Sequence, residues 1–349
     1  MAEKRKGEFM GKELAEGPDA VLRTLREAAD QVASAANLLT DLEAKGVTSG
    51  FIIGSGTSFH ASLFLQQLLS KYTSLHVAAI PASEFAEWRP ERGKYFIIGY
   101  SQSGESSDII EAFNVAKSAG AKTIAITNTP GSTLARIADA AIVTRAGEEK
   151  AVAATKTFDA QLTAALMLAY KAAGKSPGEI EKAAEAARKV LSEDGRVKGV
   201  AEAMVKAEHA FCLGRGVGYP IALEAALKLK EAAMLHAEGF AVREFLHGPL
   251  QLVEENTPVL VYAASKSGFE ASAKALERIA GHKAPIVLIG PGASSFTQYA
   301  SCAIEFPDAG GEANAIPLAK VAQLTAYHLS LLRELDPDKP TKLTKVVKY

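Results

Sequence analysis

Glu224, Lys228 and Glu231 stand at positions i, i+4 and i+7 of the segment YPIALEAALKLKE over 219–231. On a helix those positions fall within about 60° of one another and form one charged stripe. The residues around them are mostly Ala, Leu and Ile. Such a helix is largely buried, and buried charges need partners or a cleft. A carboxylate beside a lysine in a cleft is a general acid–base pair. The alternative is an ion pair on a solvated helix face, worth about 0.2–0.5 kcal/mol. Two further clusters suit an anion. GSGTS at 54–58 follows the apolar run Phe51, Ile52, Ile53. SQSGES at 101–106 follows residues 95–99, Tyr-Phe-Ile-Ile-Gly. Glycines and hydroxyls between a strand and a helix turn N–H and O–H donors towards a phosphate without needing Lys or Arg. Each cluster alone also fits an ordinary strand-to-helix turn. The first lacks the third glycine of a dinucleotide fingerprint and the Gly-Lys-Ser/Thr of a P-loop. His247 sits in His-Gly-Pro, a constrained turn. His60, His76, His209, His236, His282 and His328 have no such setting. No Cys/His spacing points to a metal. Cys212 and Cys302 each lie in an apolar strand-like run and are expected in the core. The Lys-rich end, 343–349, reads by composition as a solvated tail.

The elements that position these residues alternate in type. Residues 21–42 have the apolar spacing of a helix. Strands are expected at 51–53, 76–80, 95–99 and 123–127, with helices at 58–70 and 106–118 between them. The second half repeats this order, with strands at 211–213, 258–262 and 285–289. Gly54 and Gly214 are 160 positions apart, Ser101 and Ser265 164, and Ile124 and Ile286 162. Three landmarks at nearly one offset argue for internal duplication. Alternating strands and helices argue for parallel sheets. The fold class is therefore α/β. Its expected parts are an N-terminal helical segment (1–44), two similar domains (45–175 and 200–335) with a helical linker between them (176–199), and a tail (336–349).

Composition narrows the function. Lys plus Arg total 39 and Asp plus Glu 40, a net charge of −1 that gives no overall basic footprint for nucleic acid. Two cysteines cannot form a disulfide framework. No apolar run approaches the ~20 residues that cross a bilayer. The charged start MAEKRKGEFM is not a secretory signal. A cytoplasmic location with neither nucleic acid nor membrane as partner is expected.

Taken together, the motifs resemble the sugar isomerase (SIS) family, specifically the isomerase half of glucosamine-6-phosphate synthases and its stand-alone relatives. The resemblance runs from about Gly50 onwards. It rests on GSGTS, SQSGES, VAATK at 152–156, YPIALEAALKLKE, HAEGF at 236–240, EFLHGPL at 244–250 and the tail around Lys345. It implies two tandem SIS domains, each a doubly wound, flavodoxin-like αβα sandwich. It implies that Thr57, Ser58, Ser101, Gln102, Ser103 and Ser106 hold a sugar phosphate, and that Val152 and Thr344 offer backbone contacts to sugar hydroxyls. Glu231 matches the carboxylate that moves a proton between C1 and C2, with Lys228 assisting and Glu224 in support. His247 matches the ring-opening histidine, supplied across a homodimer interface to a shared active site. Lys345 matches a lysine that forms an imine with the ketose.

The resemblance has two departures. About 45 residues precede the first strand and none is Cys, so nitrogen from glutamine is not expected through this chain alone. Ala154 stands where the synthases have a sugar-contacting Ser. The implied activity is aldose–ketose isomerisation coupled to deamination of glucosamine 6-phosphate to fructose 6-phosphate and ammonia, or its ammonia-dependent reverse. That places the chain among hydrolases as a glucosamine-6-phosphate deaminase/isomerase, with no metal or other cofactor. The alternatives are a deglycase or isomerase acting on another phosphorylated amino sugar, and a non-catalytic sugar-phosphate sensor.

Overall fold

The computed structural model describes residues 5–91 and 94–345. The last part of the expected tail, 346–349, lies outside the described residues. In chain order, α1 (Glu8–Glu27) and α2 (Ala29–Ala44) precede β1 (Ser49–Gly54), α3 (Thr57–Tyr72), β2 (His76–Pro81), α4 (Phe85–Trp88), β3 (Phe96–Ser101), α5 (Ser107–Ser118), β4 (Lys122–Thr127), α6 (Thr133–Ile137) and β5 (Ala140–Val143). Three helices follow: α7 (Lys156–Ala172), α8 (Glu179–Ser192) and α9 (Asp194–Ala203). The second series is β6 (His209–Arg215), α10 (Gly218–Ala233), β7 (His236–Ala241), β8 (Val259–Ala263), α11 (Lys266–Glu270), α12 (Ala273–Ala280), β9 (Ile286–Ile289), β10 (Cys302–Ile304) and α13 (Ala315–Leu332).

The chain divides into two compact units, one built on 17–149, 156–181 and the residues from 344, the other on the residues up to 16, 150–155 and 182–343. Each holds one five-stranded, wholly parallel sheet. The orders are β2-β1-β3-β4-β5 and β7-β6-β8-β9-β10. Both are the doubly wound, flavodoxin-like order, in which connections leave in opposite directions from the two middle strands. Central strands are apolar on both faces, as a helix-covered parallel sheet requires. Every residue of β3 and of β8 is buried. The first sheet packs Ile53, Ile97, Phe113 and Ala125 into its core. The second packs Phe211, Leu213, Val261, Phe245 and Leu288.

Two expectations from the sequence change, and one strand appears that the sequence pattern did not place. The single helix over 21–42 is two, because α1 ends at Glu27 and α2 begins at Ala29 across the buried Ala28. Helical hydrogen bonds still reach across the break, from Ala28 N to Thr24 O (3.1 Å) and from Val32 N to Ala28 O (2.9 Å), so it is a kink. The 236–240 motif is an edge strand, β7, paired with β6 from His209↔His236 to Gly214↔Ala241. Cys302 is only half-buried, since β10 is an edge strand, whereas Cys212 on the central β6 is fully buried. Burial pushes the Cys212 thiol up to about 12, so it remains a protonated core residue.

Asp139 ties β4 to the start of β5. Its carboxylate accepts from Thr123 N (2.9 Å), Thr123 Oγ1 (2.9 Å) and Lys122 Nζ (2.6 Å). Burial pushes its pKa up, but those hydrogen bonds prevail and hold it below the ordinary carboxylate range. Its contribution is thus present above the unfolded value of about 4 and is lost as pH falls through the folded value. Asp139→Ala is expected to cost about 1–3 kcal/mol in chemical denaturation at pH 7. The difference from the parent should shrink on acidification.

Candidate active site

Two of the motifs meet at one sheet edge. β1 and β3 are neighbours, with Ile53 opposite Gly99, and their C-terminal ends carry GSGTS and SQSGES. This is the point where the strand order reverses, and ligands of open α/β sheets bind there. Gly54 is required by close packing, since a Cβ would lie 2.5 Å from the Ser58 carbonyl carbon. Gly104 has φ +67°, and a Cβ would meet Ser132 Oγ at 2.2 Å. The sharp turns deliver Thr57 and Ser58 to the start of the 16-residue α3, and Ser106 to the N-cap of the 12-residue α5. The Ser106 hydroxyl makes no capping bond; it accepts from Ser101 Oγ at 3.4 Å. Ser101 Oγ accepts from Gly104 N (3.0 Å) and Ser103 Oγ from Glu105 N (3.2 Å). The Gln102 carbonyl takes Asn128 N at 3.0 Å. Ser58 is buried, and its hydroxyl accepts from Gln161 Nε2 of α7 at 2.9 Å. Neutral hydroxyls and two helix N-termini thus converge, a setting for a phosphate monoester.

The second unit holds the charged stripe on α10. Ala and Leu favour the helix, Pro220 lies in its first turn, and Met234 ends it at φ 50° in the left-handed region. Lys228 Nζ contacts Glu224 Oε1 at 3.4 Å and hydrogen-bonds Glu231 Oε2. Side-chain exposure is 1% for Lys228, 0% for Glu224 and 23% for Glu231. The solvated-face alternative is therefore excluded. Burial would lower the Lys228 pKa, but the two carboxylates outweigh it and hold the ammonium above the ordinary lysine range. Glu224 is sealed in, and Glu231 is the carboxylate of the set that a ligand can reach.

Other expected residues of this unit lie on loops. Phe245 is buried against Phe211, with ring centroids 4.8 Å apart, and anchors the turn Glu244–Leu246. His247 follows it and is exposed. Among the described residues, no hydrogen bond or ion pair engages its imidazole. Val152 is half-buried in a segment that Glu13 clamps, its carboxylate accepting from Lys150 N and, at 3.2 Å, from Ala151 N. In the first unit Thr344 is exposed and Lys345 is half-buried. Lys345 Nζ donates to Glu149 Oε2 at 2.7 Å. The structure thus joins Thr57 and Ser58 to the Ser101–Ser106 edge in one unit, and Lys228 to Glu231 in the other. Sequence reasoning missed Glu149, Thr157 and Gln161. Glu149 and Gln161 lie 196 and 103 positions from Lys345 and Ser58, so no local pattern marks them, and Thr157 matters only through Glu149. Among the described residues no group of three or more His, Cys, Asp or Glu is placed to hold a metal ion. No helix among them is long and apolar enough to cross a membrane.

Comparison with known proteins agrees with this architecture. The SIS domain family matches twice, over residues 48–171 and 203–333. A glutamine–fructose-6-phosphate aminotransferase (isomerizing) from Mycolicibacterium smegmatis is 38% identical over 358 residues, covering 97% of this chain and 57% of the relative. The chain therefore spans little more than half the length of that curated relative. The C-terminal domain of the glucosamine-fructose-6-phosphate aminotransferase of Francisella tularensis superposes with a TM-score of 0.81 at 28% identity, covering 95% of this chain and 98% of that one. The glucosamine-6-phosphate deaminase of Thermotoga maritima, at 24% identity and a TM-score of 0.75 over 93% and 99% of the two chains, shares the fold. The expected hydrolase class is corrected by these findings, because the sequence relatives are isomerising aminotransferases. Two matches of one domain, on two sheets of one strand order, settle the family: the chain belongs to the SIS domain family.

Proposed function

We propose that the chain isomerises glucosamine 6-phosphate and fructose 6-phosphate, with the nitrogen leaving or entering as ammonia. The observation that carries this reading is the buried Glu224–Lys228–Glu231 set, in which one carboxylate alone is open to a ligand. Thr57, Ser58, Ser101, Gln102, Ser103 and Ser106 bind the phosphate, so affinity comes from the non-reacting end of the sugar. Val152 and Thr344 meet sugar hydroxyls through their backbones. His247 moves a proton in ring opening, work suited to an imidazole near neutral pH. Glu231 takes the C2 proton and returns it to C1, turning the amino aldose into the imine of the ketose. Lys228 supplies positive charge as the C1 oxygen gains electron density. The Lys345 amine then displaces ammonia from C2 before the ketose is freed. Equal appearance of fructose 6-phosphate and ammonia from glucosamine 6-phosphate is the expected assay result. Neither product, in either direction, would refute the reading.

The family resemblance implies that His247 lies across a subunit interface, and its exposure fits a homodimer in which each copy lends its imidazole to the other. If so, co-expressed His247→Ala and Glu231→Gln chains should form hybrid dimers with one intact site, regaining about a quarter of the parent activity. No recovery would place His247 in its own chain's site. The phosphate assignment has its own check. Ser106→Asp puts a negative charge at the α5 N-cap and should raise KM at least about 30-fold through phosphate repulsion, with a smaller change in kcat.

A second reading rests on Ala154, half-buried where the related synthases have Ser. A methyl there favours another phosphorylated amino sugar, such as an N-substituted fructosamine. A panel ranking glucosamine 6-phosphate far below that sugar would favour this reading, and the reverse ranking would remove it.

A further inference from the structure

The Glu149 carboxylate has 0% exposure, a state that a charged side chain tolerates only with partners. Its oxygens accept from Thr157 N at 3.2 Å and Thr157 Oγ1 at 2.6 Å, at the first turn of the 17-residue α7. The helix N-terminus favours the negative charge. The same carboxylate accepts from Lys345 Nζ at 2.7 Å, across 196 positions of sequence. Residues 333–345 form no helix or strand, and 341–344 are exposed. Where backbone ladders are lacking, side-chain anchors decide the position of the segment. Gln161, one turn after Thr157, holds Ser58 Oγ at 2.9 Å. Residues four apart share a helix face. One face of α7 therefore carries both Gln161, which anchors the phosphate loop, and Thr157, which holds the carboxylate that anchors the tail lysine.

We infer that Glu149 is a positioning residue that docks Lys345, and that α7 sets the span between the bound phosphate and the lysine amine. This rests on the proposed role of Lys345. In that role the amine nitrogen bonds the ketose C2, and the carbonyl oxygen leaves as water with the two amine protons. A nucleophile held at the right span from the phosphate meets C2 without a further search, and a loose tail does not.

The test is imine trapping. The whole protein is mixed with fructose 6-phosphate and borohydride, and the modified peptide is identified by mass spectrometry. The unsubstituted protein should carry the adduct on Lys345. Glu149→Gln keeps the shape and removes the charge; it should slow trapping at saturating ketose at least about tenfold. Glu149→Asp should restore part of the rate. Thr157→Val, which leaves the carboxylate but removes one of its donors, should slow trapping to a smaller degree. Binding of sorbitol 6-phosphate, which has a phosphate but no carbonyl, should change less than about threefold in all three. Trapping at the parent rate in Glu149→Gln would overturn the inference alone. A parallel loss of sorbitol 6-phosphate binding would also overturn it, since the effect would then be general damage. No Lys345 adduct in the unsubstituted protein would overturn the imine role and this inference with it.

Discussion

Glu231→Gln is expected to lower kcat by about 10²–10⁴-fold, the usual range for loss of a general base. The amide has nearly the same shape and still accepts a hydrogen bond from Lys228, so the α10 stripe and the fold should persist. KM should move little, because the phosphate cradle belongs to other elements. The effect then falls on the proton transfer itself, and a kcat-only loss is its signature. Exchange of the C2 proton with solvent, followed by NMR, should stop in parallel with turnover. Unchanged turnover in this variant would remove Glu231 from the mechanism.

Lys228→Met is expected to be the most damaging substitution for stability. Glu224 is wholly buried, and Lys228 contacts it at 3.4 Å. Removing the ammonium takes the cation at 3.4 Å from a wholly buried carboxylate and breaks a buried ion pair, which costs about 3–5 kcal/mol. Adding Glu224→Gln to Lys228→Met removes the buried negative charge that faced the ammonium and should recover part of that loss in urea denaturation. Activity should stay low in the double variant, because the positive charge beside Glu231 is still missing. Equal stability of Lys228→Met and the parent would show that the stripe is not electrostatically coupled.

Central strands were legible because their burial is written as local apolar runs, as in Ile97 and Ile98 of β3 or Leu260 and Val261 of β8. Edge strands were read unevenly: β2 was expected at 76–80, whereas β5 and β7 were not. The sequence of β7, HAEGFA, has no such run and is a strand because β6 pairs with it along its length. Propensity yields to tertiary context there. The four-residue β5 carries too little signal to stand out. The break at Ala28 was hidden because apolar spacing continues across it. At the site, motifs confined to one loop or one helix could be read directly, and the i, i+4, i+7 stripe predicted the Glu224–Lys228–Glu231 contacts. Groups that hold the site from a distance could not. Glu149 meets Lys345 only after the chain has passed through 150–155 and 182–343 of the other unit.

The most direct measurement follows the C2 hydrogen. Glucosamine 6-phosphate deuterated at C2 is incubated with the protein, and fructose 6-phosphate, ammonia and the position of the label are determined together. The account predicts equal amounts of both products, with deuterium at C1 of the ketose or released to solvent. Binding of the sugar with its label intact and no products formed would contradict it, leaving a protein that holds the sugar phosphate without acting on it.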